Sequence, residues 1–240
     1  MGERVSGYEY DIKTARWNDS HRWGPAPRFR RKIILGVLGR LSFSSLLDVG
    51  CAQPYLLLEI GRRFPGKVLA GLDVAESVIE EYRRKFPRID FMCSDIQLGR
   101  PARRYDVVIC SEVLEHLPEY EAALDNVRAM CGKNLLVTVP ASPLFPIDRQ
   151  VGHIRHFPGR AMEEALERHG FTVVWSRDWG FPFRTLYKIA INKTRPDALR
   201  EAFSEAAYDR KKKLLSAVIY GLFHANLYRC GWQKIILARV

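Results

Sequence analysis

The sequence predicts an α/β protein: a doubly wound, mostly parallel seven-stranded sheet with a helical N-terminal lead-in and a helical insertion before the last strand. Two observations predict it. Short apolar runs alternate with segments of helical spacing, which is typical of a parallel sheet with helices on both faces. Acidic residues also follow several of these runs, at the strand ends where such sheets bind ligands.

The composition fits one globular domain over residues 1–240, with 47% hydrophobic and 27% charged residues. A net charge of +11 is compatible with nucleic acid, anionic lipid or an acidic small substrate. The five cysteines form no C-x-x-C pair, which favours reduced thiols over disulfides or a cysteine zinc site. Because the amino terminus also has no apolar signal-like segment, we expect a cytoplasmic protein.

The N-terminal cap, residues 1–44, begins with aromatic residues among polar ones. Tyr8, Tyr10, Trp17 and Trp23 belong to this lead-in, and a helix with an apolar face is predicted over Arg28–Leu41. The strands that follow are predicted at Ser45–Val49, Val68–Asp73, Ile89–Ser94, Tyr105–Cys110, Asn134–Pro140, Phe171–Arg177 and Trp232–Val240. The helices between them are predicted at Pro54–Phe64, Ala75–Phe86, Tyr120–Met130 and Pro158–His169.

The insertion, residues 180–230, contains two helical stretches and no clear strand. One carries an apolar stripe with helical spacing that follows the basic run Arg210–Lys213: Leu214, Leu215, Val218, Ile219, Leu222 and Phe223. The favoured interpretation is a lid packed over the acceptor site, and the alternative is a peripheral membrane helix. His224 and Asn226 interrupt the short run, so we expect no membrane-spanning helix.

The segment Ser45–Glu59, SLLDVGCAQPYLLLE, predicts a strand, a glycine turn and a helix. A carboxylate such as Asp48 beside this turn suits a ligand with an amino group and would repel a pyrophosphate. Asp73, at the end of the next strand, suits the two hydroxyls of a ribose. The dinucleotide pattern G-x-G-x-x-G is not met, since Ala52 and Tyr55 occupy its second and third positions. The pattern therefore favours S-adenosylmethionine over NAD.

Four segments resemble the successive motifs of class I S-adenosylmethionine-dependent methyltransferases of the bacterial small-molecule group: LLDVGCAQP, LAGLDVAESVIE, FMCSDIQ and YDVVICSEVLEHLPE. LLVTVPAS and GHIRHFPGRAMEEALERHGF extend the resemblance, which covers about Phe43–Val174. It implies a Rossmann-like fold, S-adenosylmethionine as cofactor, and methyl transfer to a small-molecule or lipid- or sugar-linked acceptor. The cofactor-binding residues that it implies are Asp48, Gly50 and Ala52 at the methionine end, Asp73 and Val74 at the ribose, Asp95 and Ile96 at the adenine, and Ser111, Glu112 and His116 near the sulfonium.

Two positions of the glycine turn depart from that family pattern, because Ala52 and Pro54 stand where glycines are usual. Alanine is a small change if its φ is negative. Proline removes an N–H group and fixes φ, so the last bend of the turn must differ. A non-catalytic or regulatory Rossmann-like domain therefore stays an alternative.

Methyl transfer to oxygen benefits from a general base, and histidine is the usual one. We predict that His153 or His156, in the GHIRHF segment, serves as the catalytic base and that Arg155 holds an anionic acceptor.

A metal site is the other interpretation of this region, because Glu112, Glu115, His116, His153 and His156 could hold a divalent cation. Such sets resemble those of small-RNA 3′-end methyltransferases and, in part, of quinone-biosynthesis O-methyltransferases. E-V-L-E-H also resembles metal-free members, so we predict no metal. Nucleic acid is a disfavoured partner, because no row of stacking aromatics is present, and an RNA methyltransferase stays an alternative.

Overall fold

The computed structural model of the protein describes residues 18–193 and 207–240. Tyr8, Tyr10 and Trp17 of the predicted lead-in lie outside the described residues. Seven strands of the described part form one sheet in the order β3-β2-β1-β4-β5-β7-β6, which confirms the predicted fold class. The strands are β1 Ser45–Val49, β2 Val68–Asp73, β3 Asp90–Cys93, β4 Tyr105–Ser111, β5 Cys131–Pro140, β6 Thr172–Trp179 and β7 Gln233–Arg239.

Helices cover both faces of this sheet. They are α1 Asn18–Trp23, α2 Pro25–Leu38, α3 Tyr55–Arg63, α4 Glu76–Lys85, α5 Tyr120–Met130, α6 Pro146–Gln150, α7 Ala161–Arg168, α8 Phe183–Lys193 and α9 Arg210–Leu222. One apolar core lies between the sheet and α5 and α7, and a second lies between the sheet and α2, α3 and α4. Both faces of the five inner strands, β1, β2, β4, β5 and β7, are thus buried, whereas the edge strands β3 and β6 are partly exposed.

Strand β1 pairs in parallel with β2 on one side and with β4 on the other, so the direction of winding reverses between β1 and β4. Ligands of doubly wound sheets bind beyond the carboxyl ends of the strands at this point. Strand β7 runs antiparallel between β5 and β6.

The boundaries of β5 differ from the prediction, because this strand begins at Cys131 and not at Asn134. Its register with β4 shifts between Tyr105 and Val107. A Cβ atom at Gly132 would lie 2.9 Å from the carbonyl oxygen of Tyr105, so only glycine fits this bulge. Residues 131–133, which lie between the predicted helix and the predicted strand, thus belong to β5.

The apolar stripe of the insertion divides between two surroundings. Phe223 is buried in the core, whereas Leu214, Leu215, Val218 and Leu222 are exposed on α9. Helix α9 packs on α1 and α2, and α8 contacts the 3-10 turn that follows α9. Among the described helices, none has the length and apolar character needed to cross a bilayer.

Candidate active site

The turn after β1 requires glycine at position 50. Gly50 has a φ of 68°, and a Cβ atom there would lie 2.4 Å from Cγ2 of Val113. Its N–H donates to the carbonyl oxygen of Leu72 at 2.7 Å, which ties the turn to β2. The turn therefore lies where the carboxyl ends of β1 and β2 meet.

Ala52 adopts a φ of 36°, so the condition under which alanine would be a small change is not met. A Cβ atom makes this left-handed region unfavourable. The N–H of Ala52 donates to Oδ2 of Asp73 at 2.8 Å, a bond that requires this conformation. Pro54, with a φ of −77°, immediately precedes α3, so its missing N–H interrupts no helical hydrogen bond.

Two carboxylates face each other at the ends of β1 and β2. Asp48 is buried, and burial together with the charge of Asp73 raises its pKa to about 8. In the part of the chain that the structure describes, no group donates a hydrogen bond to the Asp48 carboxylate. The Asp73 carboxylate accepts from the N–H groups of Ala52 and Ala75.

These acids fit the cofactor that the sequence indicates. Asp73 ends β2, and an acid at this place in a doubly wound sheet suits the hydroxyls of a ribose. A buried acid without a donor, such as Asp48, is stabilised by an ammonium group. The residues present at this strand edge therefore suit S-adenosylmethionine.

Val74, Asp95 and Ile96 follow β2 and β3 at the same edge of the sheet. The Asp95 carboxylate accepts from the N–H of Gln97 at 2.9 Å and so shapes its own turn. Ile96 is buried, and its carbonyl oxygen accepts from the side chain of Asn126 at 2.8 Å. The carbonyl oxygen of Val74 lies 3.7 Å from the thiol of exposed Cys93. These contacts hold an apolar side chain and a carboxylate at the carboxyl end of β3, beside that of β2.

Glu112 lies at the centre of a polar network after β4. Its carboxylate accepts from the side chains of Thr138 at 3.1 Å and Gln233 at 2.7 Å, and lies 3.3 Å from Arg30. Ser111 lies 2.8 Å from the Thr138 hydroxyl. Burial raises the pKa of Glu112, but nearby positive charges, chiefly that of Arg30, exceed this effect and lower it overall. The sequence analysis missed Arg30, Thr138 and Gln233, which no local motif marks.

Glu115 is fully buried, and neither carboxylate oxygen has a hydrogen-bond partner among the described residues. Burial and the charge of Glu112 raise its pKa well above the usual range. Two neighbouring carboxyl groups thus have pKa values shifted in opposite directions, an arrangement typical of functional sites.

His116, His153 and His156 form one imidazole cluster. Nδ1 of His156 lies 2.8 Å from the carbonyl oxygen of Ser142, and Nε2 of His156 lies 2.9 Å from Nδ1 of His153. A carbonyl only accepts, so Nδ1 of a neutral His156 carries the proton and its Nε2 accepts from His153. His153 then has its lone pair on Nε2. Burial and the neighbouring His116 lower the pKa of His153, which keeps it neutral.

His116 and Glu115 complete a set with metal-ligand spacing. Glu115, His116 and His153 each offer one ligand atom, and these atoms lie within 4.8 Å of one another. Nδ1 of His116 lies 3.1 Å from the carbonyl oxygen of Gly152, which leaves the lone pair of a neutral ring on Nε2. Asp148, His153 and His156 form a second set with the same spacing.

Arg155, predicted to hold an anionic acceptor, and Arg184 differ in their surroundings. Arg155 donates to the carbonyl oxygen of Pro118 at 3.0 Å, and its guanidinium lies over Tyr120. Arg184 is buried and donates to Gln233 through one nitrogen, while its NH1 has no hydrogen-bond partner among the residues that the structure describes. Burial lowers the pKa of Arg184 to about 10, so it stays charged at neutral pH.

Residues 25–176 match the sequence model of a family described as a methyltransferase domain. The ubiquinone biosynthesis O-methyltransferase of Coxiella burnetii (strain RSA 493 / Nine Mile phase I) is 31% identical over 90 residues, 35% of this chain and 38% of that protein. The trans-aconitate 2-methyltransferase of Enterobacter sp. (strain 638) is 25% identical over 169 residues, 65% of each protein. The chain thus spans less than two thirds of the length of these curated relatives.

Among solved structures, the N-methyltransferase NodS from Bradyrhizobium japonicum WM9, in complex with S-adenosyl-L-homocysteine, is similar over 98% of both chains, with a TM-score of 0.60 and 16% identity. At this identity the likeness concerns the fold. The family match extends over more than half of the chain and includes the glycine turn and the acids at the ends of β1 to β4. The chain therefore belongs to the methyltransferase domain family.

Proposed function

We propose that this methyltransferase transfers a methyl group to an oxygen atom of a small anionic acceptor, with His153 as the general base. The observation that carries the proposal is the hydrogen-bonded chain from the Ser142 carbonyl through His156 to His153. This chain fixes the His153 ring and keeps the lone pair on its Nε2. The base therefore adjoins His116 and Glu112, the residues assigned to the methyl-donor end.

The cofactor supplies a methyl group on a positively charged sulfur. In the proposed reaction the acceptor oxygen forms a bond to this methyl carbon, the carbon–sulfur bond breaks, and the hydroxyl proton passes to Nε2 of His153. His156 and Ser142 hold the ring in place, which reduces the entropy cost of alignment.

Arg184 supports an anionic acceptor, because NH1 of this buried guanidinium is an unsatisfied donor. Unpaired buried cations are unfavourable, and a carboxylate group on the acceptor would satisfy this one. We further propose that the N-terminal cap and residues 180–230 form the acceptor pocket. Arg30 of α2 contacts Glu112 directly. Arg184 of α8 donates to the side chain of Gln233, which in turn donates to Glu112. Both segments therefore reach the candidate site, which supports this assignment.

Methyl-labelled S-adenosylmethionine with a panel of catechols and phenols that carry a carboxylate group tests the proposal. We expect His153→Gln to lower kcat about 100-fold with a small change in KM. Arg184→Met should mainly raise KM. His169→Gln is the matched control, because His169 is a surface histidine that pairs with Asp125.

Equal kcat values for the His153→Gln and His169→Gln variants would refute the role of His153 as the general base. Cofactor binding without methyl transfer to any extract or pure compound would favour the non-catalytic alternative.

A divalent cation is the second candidate role for the cluster, favoured by the two unpartnered oxygens of buried Glu115. A cation would stabilise the Glu115 carboxylate in its charged form. Elemental analysis of the purified protein, with activity measured before and after a chelator, tests it. A stoichiometric amount of bound metal in the unchanged protein, and its loss in the Glu115→Gln variant, would support a cation site. Activity that persists in metal-free protein and is not affected by a chelator would exclude a role for the cation.

A further inference from the structure

Helix α9 has an outer face that is apolar and exposed. Its four large apolar residues are Leu214, Leu215, Val218 and Leu222, whose exposed fractions are 68%, 50%, 54% and 45%. The opposite face holds the helix to the body of the protein: the hydroxyl of buried Ser216 donates to the carbonyl oxygen of Trp23, and Phe223 is in the core. This outer face is therefore presented by a helix that is already anchored.

Positive charge surrounds this face. Residues 210–213, RKKK, form the first turn of α9, and their backbone is capped by the Asp209 carboxylate. A cavity of about 250 Å³, here called the α2–α9 cavity, lies between α2, α3 and α9 and is lined by Arg28, Arg31, Lys32, Leu35, Glu59, Arg63 and Tyr220. Four cations against one acid favour an anion there, and Tyr220 places the cavity along the flank of α9.

We propose that the outer face of α9 docks on an anionic lipid bilayer. Leucine and valine side chains at this position would enter the boundary between headgroups and acyl chains, while the basic first turn and the α2–α9 cavity would contact lipid phosphates. The net charge of +11 adds long-range attraction to the same surface. An acidic protein partner would satisfy the charges, but the four adjoining aliphatic side chains favour lipid.

The docking surface lies close to the candidate site. Tyr220 and Phe223 pack edge-on against Phe29 of α2, and the next residue, Arg30, contacts Glu112. A bilayer bound by the outer face of α9 would therefore be separated from the proposed acceptor pocket by this one helix. Docking goes beyond the proposed function, because it requires neither cofactor nor methyl transfer.

Flotation of the full chain with vesicles tests the proposal, without cofactor or acceptor. We expect binding to vesicles of phosphatidylcholine with phosphatidylglycerol, weak binding to phosphatidylcholine alone, and release by high salt. Leu214→Glu with Val218→Glu should weaken binding about tenfold or more, and the triple change Arg210→Gln, Lys211→Gln and Lys213→Gln about a hundredfold.

The matched controls are Leu98→Glu, at another exposed leucine, and the triple change Arg84→Gln, Lys85→Gln and Arg88→Gln. Both controls should bind as the unchanged protein does. The proposal is overturned if the unchanged protein does not float, if it binds neutral vesicles equally well, or if the controls lose as much binding as the α9 variants. Sedimentation that shows a dimer dissociated by the α9 changes would instead assign the face to a second copy.

Discussion

Nε2 of His156 accepts a hydrogen bond from Nδ1 of His153 across 2.9 Å, while the backbone of Ser142 fixes the other side of the His156 ring. His156 thus acts through His153 as a positioning residue. We expect His156→Ala to lower kcat about tenfold or more, because the His153 ring loses its partner. The glutamine side chain of the His156→Gln variant can still present an acceptor oxygen, so this variant should recover part of kcat. Steady-state kinetics check both, and equal losses in the two variants would contradict the positioning role.

The pKa of Asp48 predicts a pH-dependent affinity for the cofactor. Asp48, with a pKa of about 8, is mainly protonated at neutral pH. The ammonium group of S-adenosylmethionine favours the carboxylate, so binding should release a proton and affinity should rise from about pH 6 to about pH 8. Calorimetric titration of the protein with the cofactor, in buffers of different ionisation enthalpy, measures the number of protons released on binding. Asp48→Asn should remove this release, and its persistence would point to another group.

The same acid predicts a pH-dependent stability. The raised pKa means that the folded chain keeps the Asp48 proton between about pH 4 and about pH 8, where the unfolded chain has lost it. The free energy of unfolding should therefore fall as the pH rises through this window, by at most about 1.4 kcal/mol for each pH unit. Urea unfolding of the unchanged protein and Asp48→Asn checks it. The variant should be the more stable near pH 8, by up to a few kcal/mol.

The left-handed backbone at position 52 predicts that glycine is better there. Ala52 has a φ of 36°, so Ala52→Gly should raise the free energy of unfolding by about 1 kcal/mol. Gly66→Ala is the reverse substitution at a comparable position, since Gly66 has a φ of 77° and no atom lies near its Cβ position. This substitution should lower the free energy of unfolding by about 1 kcal/mol. Urea unfolding measures both, and a loss of stability in Ala52→Gly would show that position 52 is not strained.

Lys234 and Glu163 form a buried ion pair that joins β7 to α7, with 3.0 Å between Nζ and Oε1. Lys234→Met should lower the free energy of unfolding by about 3–5 kcal/mol, because it leaves the Glu163 carboxylate buried without its cation. The double variant Glu163→Gln with Lys234→Met should recover part of this loss. Thermal and urea unfolding of the two single variants and the double variant test this ion pair. A direct interaction would be contradicted if the stability lost in the double variant equalled the sum of the losses in the single variants.

Much of the fold was predictable because β1 to β5 are apolar runs separated by helical segments, and local patterns determine such elements. The edge strand β3 is shorter than predicted, since it pairs on one side only. Asp48 and Gly50 could be proposed as site residues because their turn is local, and Asp73 because the carboxyl ends of neighbouring parallel strands meet at one edge of the sheet. Arg184 and Gln233 could not, because a polar residue shows its function only when tertiary packing brings it to Glu112.

Strand β6 reaches the sheet through β7 alone, and β7 follows β6 along the chain. During synthesis, β1 to β5 can pair as they leave the ribosome, whereas β6 must wait for residues 233–239. Gln233 and Lys234, which hold Glu112 and Glu163, arrive in the same step. A nascent chain that stops before Gln233 would leave Glu112 and Glu163 without these partners and one edge of β5 unpaired. The candidate site would therefore be completed only when β7 is added.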